Sequence, residues 1–151
     1  MSRFLSSLVV VFASLALLSS PAASFQDERF VVTKGRVVCL DAQGRPVDSP
    51  FACNQPNPRF GLASREGKLY KFLPTDTMTP VFTDSRVRER ELQITGRLHG
   101  ADQLELIKVQ SIIEGKLYDI YYFCELCNIK AYTPGLCPCC RNELEFRETP
   151  P

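Results

Sequence analysis

The chain has a single histidine, His99, and no tryptophan, among 151 residues. Any Ser-His-Asp triad would have to use that one imidazole, and a metal site built from several histidines is excluded. Charge of one sign is also lacking: 18 basic against 17 acidic side chains leave a formal net charge of +1. That balance provides no broad electrostatic footprint for nucleic acid or for an anionic membrane surface. There is no Gly-rich phosphate loop, and no pair of carboxylates stands at a recognisable catalytic spacing. Long apolar runs are missing too, apart from one at the start of the chain. Residues 4–18 form an apolar stretch of about 15 residues, short of the roughly 20 needed to span a bilayer. Arg3 precedes it, Pro21 ends it, and Ala22-Ala23-Ser24 supplies small residues for cleavage, the layout of a secretory signal. The expectation is export, periplasmic or secreted, with residues 1–24 removed and no membrane contact beyond that segment. An uncleaved N-terminal anchor is the competing reading. Loss of Arg3 leaves 17 basic and 17 acidic groups, a neutral mature chain.

What is present is mostly strand chemistry. Arg29 to Leu40 is rich in valine and interrupted at Gly35, as in a long strand with a bend. Turn and loop residues follow, from Asp41 through a Pro- and Asn-rich stretch to Pro58. Phe60–Ser64 and Lys68–Leu73 read as two strands around a Glu66-Gly67 turn, and residues 74–80 as loop. Asp84 or Ser85 can cap a brief helix ending near Glu89. In Leu92, Ile94, Gly96 and Leu98 apolar or small positions alternate with polar ones. Leu104 and Leu106 share one parity while Ile107, Val109 and Ser111 take the other, a phase change that predicts a β-bulge. Leu117–Phe123 is a last strand leading into the cysteine-rich tail. The sequence Glu-Gly-Lys-Leu-Tyr occurs at 66–70 and again at 114–118, which we read as turn chemistry entering a strand, not as duplication.

This order of three strands, a short helix and two strands resembles the five-stranded OB barrel, over roughly residues 29–113. The resemblance implies a mainly β protein built on a small OB-like β-barrel, with a barrel domain over 25–121. It also raises oligonucleotide or glycan binding on the barrel face, through Tyr70 and Phe72 with Phe60 and Leu62. Core filling is the simpler role for those side chains, and in a neutral, exported chain no nucleic-acid partner is expected.

The seven cysteines carry the strongest signal. Cys124-x-x-Cys127 and Cys137-x-x-Cys140 are separated by nine residues, and two such knuckles can bring four thiolates to the corners of a tetrahedron. Thr133-Pro134-Gly135 provides a turn between them. With Tyr122 two residues before the first Cys, the Cys137-Pro138-x-Cys140 form of the second knuckle, and Phe146 closing the segment, residues 122–146 resemble a zinc ribbon or a rubredoxin-like knuckle pair. Asn128 and Arg141 stand where such knuckles usually have Gly, and Asn tolerates that left-handed geometry better than Arg. The short intervening loop leaves a tight site without room for a substrate. The knuckle unit is assigned to 122–147, followed by a tail at 148–151.

Sulfur ligation of this kind suits zinc, with a single iron as the alternative. Two other readings stay open: disulfides, favoured in an oxidising compartment, and redox-active dithiols, for which no helix N-terminus stabilises a thiolate. Cys139 is left over inside the second knuckle and fits the ligand spacing less well than Cys140. Cys39 and Cys53 flank the 41–50 turn region and most simply pair as a disulfide, which over about 15 residues contributes roughly 3 kcal/mol.

The remaining candidates favour structure over chemistry. Arg86, Arg88 and Arg90 interleave with Glu89 and Glu91 and read as a solvated, self-paired helix face. Asp119 reads as a hydrogen-bonded carboxylate, and His99 as an exposed turn residue. No residue is assigned a catalytic role. The sequence thus points to an exported, non-catalytic binding or structural module with a four-cysteine metal site. Its expected protein-partner surface is the knuckle tip at Glu125, Leu126, residues 128–132 and Arg141. The opposing class is a redox protein, either an iron-thiolate electron carrier or a thiol-disulfide carrier.

Overall fold

A computed structural model describes residues 29–49, 51–74 and 77–151; the signal assignment at 1–24 lies outside them. Nine strands form among the described residues: β1 (Arg29–Leu40), β2 (Pro46–Val47), β3 (Arg59–Ser64), β4 (Leu69–Phe72), β5 (Glu91–His99), β6 (Gln103–Ile113), β7 (Lys116–Cys124), β8 (Ile129–Ala131) and β9 (Glu145–Thr149). One short helix, α1 (Ser85–Arg88), separates β4 from β5. The mainly β class read from the sequence is observed. Among the described residues no helix is long and apolar enough to cross a membrane.

Five strands close a ring. β1 pairs with β3, β3 with β4, β4 with β6, β6 with β5, and β5 returns to β1. All contacts are antiparallel except β4–β6, a short parallel pair at Lys71↔Gln103 and Phe72↔Leu104. Closure requires β1 to serve two neighbours, and Gly35 is the changeover, facing Leu92 of β5 and Ser64 of β3. A Cβ built on Gly35 would lie 2.1 Å from the Ala63 carbonyl oxygen, so the absence of a side chain permits the close crossing. The bulge falls in β6: Thr95 faces Lys108 while Gly96 faces Leu106, leaving Ile107 as the extra residue. Ile107 is therefore exposed instead of sharing the inward face of Val109 and Ser111, which are buried. Inserting one residue swaps parity, so Leu104 and Leu106 before it and Val109 after it all reach the core.

The interior is packed by Leu62, Leu92, Ile94, Leu104 and Phe60 from the ring. One end is plugged by a 3-10 turn, Thr79–Thr83, which begins at the end of the stretch expected to be loop and runs past it; its Val81 and Phe82 are buried. Phe82 stacks on Phe72 with ring centroids 4.8 Å apart and meets Phe60 edge-on at 5.8 Å. Asp84 caps α1 by accepting the backbone N–H of Arg86, as its side-chain type predicts.

β6 and β7 form a hairpin across Glu114-Gly115, both at positive φ. The two Glu-Gly-Lys-Leu-Tyr segments are both hairpin turns entering a strand, at Gly67 before β4 and at Gly115 before β7. β7 then outruns β6 and is flanked instead by β8 and β9, giving a three-stranded ribbon continuous with the ring sheet. Both flanking strands are short and lie beyond the elements anticipated from periodicity.

Candidate metal centre

The site is built at the far end of β7. Cys124 closes that strand, and the turn carrying Glu125, Leu126 and Cys127 returns the chain at Asn128 into β8, with Cys124 facing Ile129. The second knuckle hangs between β8 and β9, held by a bridge between Leu136 and Glu143. There the Cys137 N–H donates to the Asn142 carbonyl at 2.7 Å, and the Arg141 N–H to the Cys137 carbonyl at 2.9 Å. Asn128 and Arg141, each directly following the second Cys of its Cys-x-x-Cys pair, both adopt positive φ, 53° and 65°. These are the two positions where the sequence departs from the usual glycine.

The fold brings together the Sγ atoms of Cys124, Cys127, Cys137 and Cys140, all within 4.8 Å of one another. Cys124 and Cys140 are separated by 3.5 Å. A tetrahedral centre with metal–sulfur bonds of about 2.3 Å has sulfur–sulfur edges of about 3.8 Å, so only small adjustments would close the set around an ion. Cys124 and Cys137 are buried, Cys127 and Cys140 half-buried, and Cys139 is exposed.

Backbone dipoles at the knuckles favour sulfur as thiolate. Cys137 is drawn down to about 7, first by the Cys140 N–H, against the opposing effect of burial, and then by the Cys139 N–H. Cys124 accepts the Cys127 N–H, which lowers it, yet burial and the thiols of Cys140 and Cys137 leave it raised. Cys127 is raised by the side chain of Cys139 first, then by that of Cys140 and by burial. Cysteine binds a metal as thiolate, so ligation would displace thiol protons and fasten both knuckles at once. An all-sulfur donor set suits a soft or borderline ion.

The ribbon is clamped onto the ring through α1. Tyr122 of β7 is buried, and its hydroxyl donates to Asp84 Oδ2 at 2.9 Å. Burial first, and then that carboxylate, raise the phenol well above its ordinary value. Arg86 pairs with Asp84 at 2.7 Å and lies over the Phe146 ring, 4.6 Å from its centroid. Arg90 pairs with Glu148 of β9 at 2.9 Å. The arginine run is thus not self-paired. Arg88 donates to the Phe82 and Thr83 carbonyls, and Glu91 pairs with Arg65. In the sequence Tyr122 stands two residues before Cys124 and Asp84 has capping chemistry, but nothing in their spacing links the two.

The other candidates have structural places. Cys39 and Cys53 are joined in a disulfide, Cα to Cα 5.4 Å, tying the loop after β1 back onto that strand. Phe60, Leu62 and Phe72 are buried in the core, with half-buried Tyr70 packed against it and Lys68 over its ring. Asp119 accepts from Gln110 at 2.8 Å and pairs with Lys108 at 2.9 Å. His99 is half-buried instead of exposed, 2.8 Å from Glu105. A recess of about 700 Å³ opens at the plugged end of the ring, beside Arg59, Lys71 and Phe72. A cleft of about 490 Å³ lies where β6 leaves β7, between Ile107, Ile120 and Tyr132. The chain matches no protein-family model, no curated protein and no solved structure.

Proposed function

We propose that this is an exported, non-catalytic binding module: an OB-like barrel carrying a zinc-ribbon-like tip whose four cysteines hold a structural zinc ion. The observation that carries the reading is the convergence of Cys124, Cys127, Cys137 and Cys140 to within 4.8 Å, on knuckles whose left-handed residues sit at Asn128 and Arg141. The closed ring with its one parallel pair and its helix between β4 and β5 supports the barrel half of the reading. The Cys39–Cys53 disulfide supports an oxidising compartment. Four sulfurs, two of them buried, fill a tetrahedral set, which suits a structural ion over a catalytic one.

The tip is the partner surface in this reading. Leu126 and Leu136 are exposed on the two knuckles, 75% and 56%. Large apolar side chains left exposed on the knuckles of a small protein suit a contact surface. Elemental mass spectrometry on the purified full chain, with a native free-thiol count, tests the proposal. One zinc per chain with only Cys139 readily alkylated is the expected result. Iron with visible absorption would move the site to electron transfer, and a metal-free chain whose thiols appear only after reduction would overturn the metal centre.

A further inference from the structure

Because β1 serves its two neighbours in turn, half of it is left with one side open. Residues 29–35 pair with β5, whereas pairing with β3 begins only at Gly35. One hydrogen bond shows which backbone groups face the open side. The Arg65 N–H donates to the Lys34 carbonyl, so Lys34 directs its backbone groups toward β3. Successive residues of a strand direct these groups to opposite sides, so those of Val32 and Phe30 point the same way as those of Lys34, beyond the end of β3. Among the described residues no strand pairs with them there. Their side chains are exposed too, Phe30 66% and Val32 63%. An open edge is a template for another strand, and edges that stay in water are blunted by charge, proline or brevity. β2 is two residues long and begins with Pro46, β8 carries Lys130, and β9 carries Glu145, Arg147 and Glu148. Phe30-Val31-Val32 has no such device.

We propose that this edge pairs with the same edge of a second copy of the chain, β1 antiparallel to β1, in a two-fold symmetric dimer. A second copy is the occupant because the edge is complementary to itself. A two-fold axis perpendicular to the sheet keeps the outward side chains of both copies on one face, so it pairs residues whose numbers share parity. Centred on Val31, it sets Phe30 of each copy opposite Val32 of the other, the two residues whose N–H and C=O groups point across the edge. Each such pair exchanges both backbone bonds and lays an aromatic ring beside a β-branched side chain, a favourable cross-strand combination. Val31 meets its own counterpart at the axis, on the face packed against the core. Centring on Val32 instead would call on Lys34, whose carbonyl already accepts from Arg65. The charges at the ends agree with this register. Antiparallel pairing brings the start of each β1 beside Lys34 of the other copy, and the sequence entering β1 is Asp27-Glu28-Arg29, two acids against one base.

Sedimentation velocity over a concentration series tests the proposal on the purified chain carrying Cys139→Ser, so that no exposed thiol links copies. The expected result is a monomer–dimer equilibrium. Val32→Lys, at a position met twice across the axis, should raise the dimer dissociation constant about tenfold and leave the circular-dichroism spectrum unchanged. Phe30→Lys should act in the same direction and repeats the test at the other exposed position. Under mild oxidation Val31→Cys should form a disulfide between copies, mapped by peptide mass spectrometry. Val32→Cys should not, because Val32 faces Phe30 and not itself. A chain that stays monomeric at the highest concentration reached, or a dimer that both lysine variants leave unchanged, would overturn the proposal. Cross-linking through Val32→Cys and not through Val31→Cys would overturn its register. Loss of the dimer on Leu126→Ser and not on Val32→Lys would move the contact to the knuckles.

Discussion

Replacing Tyr122 by Phe measures the clamp between ribbon and ring. The change keeps the buried ring and removes only the hydroxyl that donates to Asp84 at 2.9 Å. A hydrogen bond to a charged acceptor contributes about 1.5–3 kcal/mol net. Asp84 is 8% exposed, but it keeps the Arg86 backbone N–H and the Arg86 guanidinium, so its carboxylate is not orphaned. The loss should therefore fall near the lower end, about 1.5 kcal/mol, or about 5 °C in Tm for a domain of this size. Asp84→Ala removes the helix cap, about 1 kcal/mol, and strands the Tyr122 hydroxyl, a further 1–3 kcal/mol or so. The double variant has no stranded group, so it should be less destabilised than the sum of the singles, with a coupling of about 1–2 kcal/mol. Urea unfolding at neutral pH with the metal site saturated reads all three. pH adds a second axis. Burial alone would raise the Asp84 carboxyl, yet the Arg86 side chain, the Arg86 N–H and the Tyr122 hydroxyl hold it below its ordinary value of 3.8. A carboxyl lowered in the folded state stabilises fully above its unfolded pKa, and that contribution is lost as pH falls through the folded one. The gap between parent and Tyr122→Phe should therefore narrow below pH of about 3.9. A Tyr122→Phe variant within about 0.5 kcal/mol of the parent, or strictly additive singles, would refute the clamp.

Three further outcomes follow from the same geometry. Gly35→Ala puts a methyl 2.1 Å from the Ala63 carbonyl, forcing β1 from β3 and costing about 3 kcal/mol in urea unfolding. Gly67→Ala, at positive φ with no atom within 4 Å of the added carbon, should cost only about 1 kcal/mol, and equal losses would contradict the changeover at Gly35. Removing the disulfide with Cys39→Ser and Cys53→Ser, 14 residues apart, should lower stability by about 3 kcal/mol; calorimetry showing no change would assign the loop order to other contacts. Arg141→Gly should stabilise the metal-loaded protein by about 1 kcal/mol by relieving a left-handed residue at φ 65°. Asn128→Gly should gain nearly nothing, because Asn already tolerates that conformation, and thermal unfolding would expose a reversed order.

Much of the ring was legible because its periodicity is local. Valine density marked β1, alternation from Leu92 to Leu98 marked β5, and the parity change after Leu106 marked the bulge. Closure was harder to read. The parallel β4–β6 contact spans two residue pairs, too few to leave a pattern. Phe82 is a plug only because the 3-10 turn after β4 packs it against the ring, a tertiary choice made just beyond a Pro- and Thr-rich stretch that reads as loop. β8 and β9 are stabilised by pairing to β7 and by the knuckles between them, not by any alternation of their own. The four-cysteine cluster, by contrast, is written in spacing alone, since a Cys-x-x-Cys turn fixes two sulfurs whatever surrounds it. Which groups brace that centre was not, because Asp84 and Tyr122 lie 38 positions apart.

β7 ties these two levels together. Its first half pairs with β6 of the ring, and its second half with β8 and β9 of the ribbon, with Asp119 facing both Gln110 and Thr149. From residue 122 onward only Tyr122, Cys124 and Cys137 are buried core side chains. So small a core cannot offset the ordering entropy of some 25 residues, for which about 1.5 kcal/mol each is a fair scale. Two contributions remain to hold the ribbon: the strand it shares with the ring and a covalent or coordinate tie across the knuckles. The shared strand positions Cys124 and leaves the second knuckle to be fixed by sulfur chemistry. An ion that binds the folded set and not the unfolded chain stabilises by mass action, about 4 kcal/mol at a thousandfold excess over Kd. Because β7 cannot leave the ribbon without weakening its pairing to β6, stabilisation from a bound ion would reach the ring as well, and Leu126 and Leu136, exposed on the knuckles, would then be presented on a support that ion and ring both hold in place.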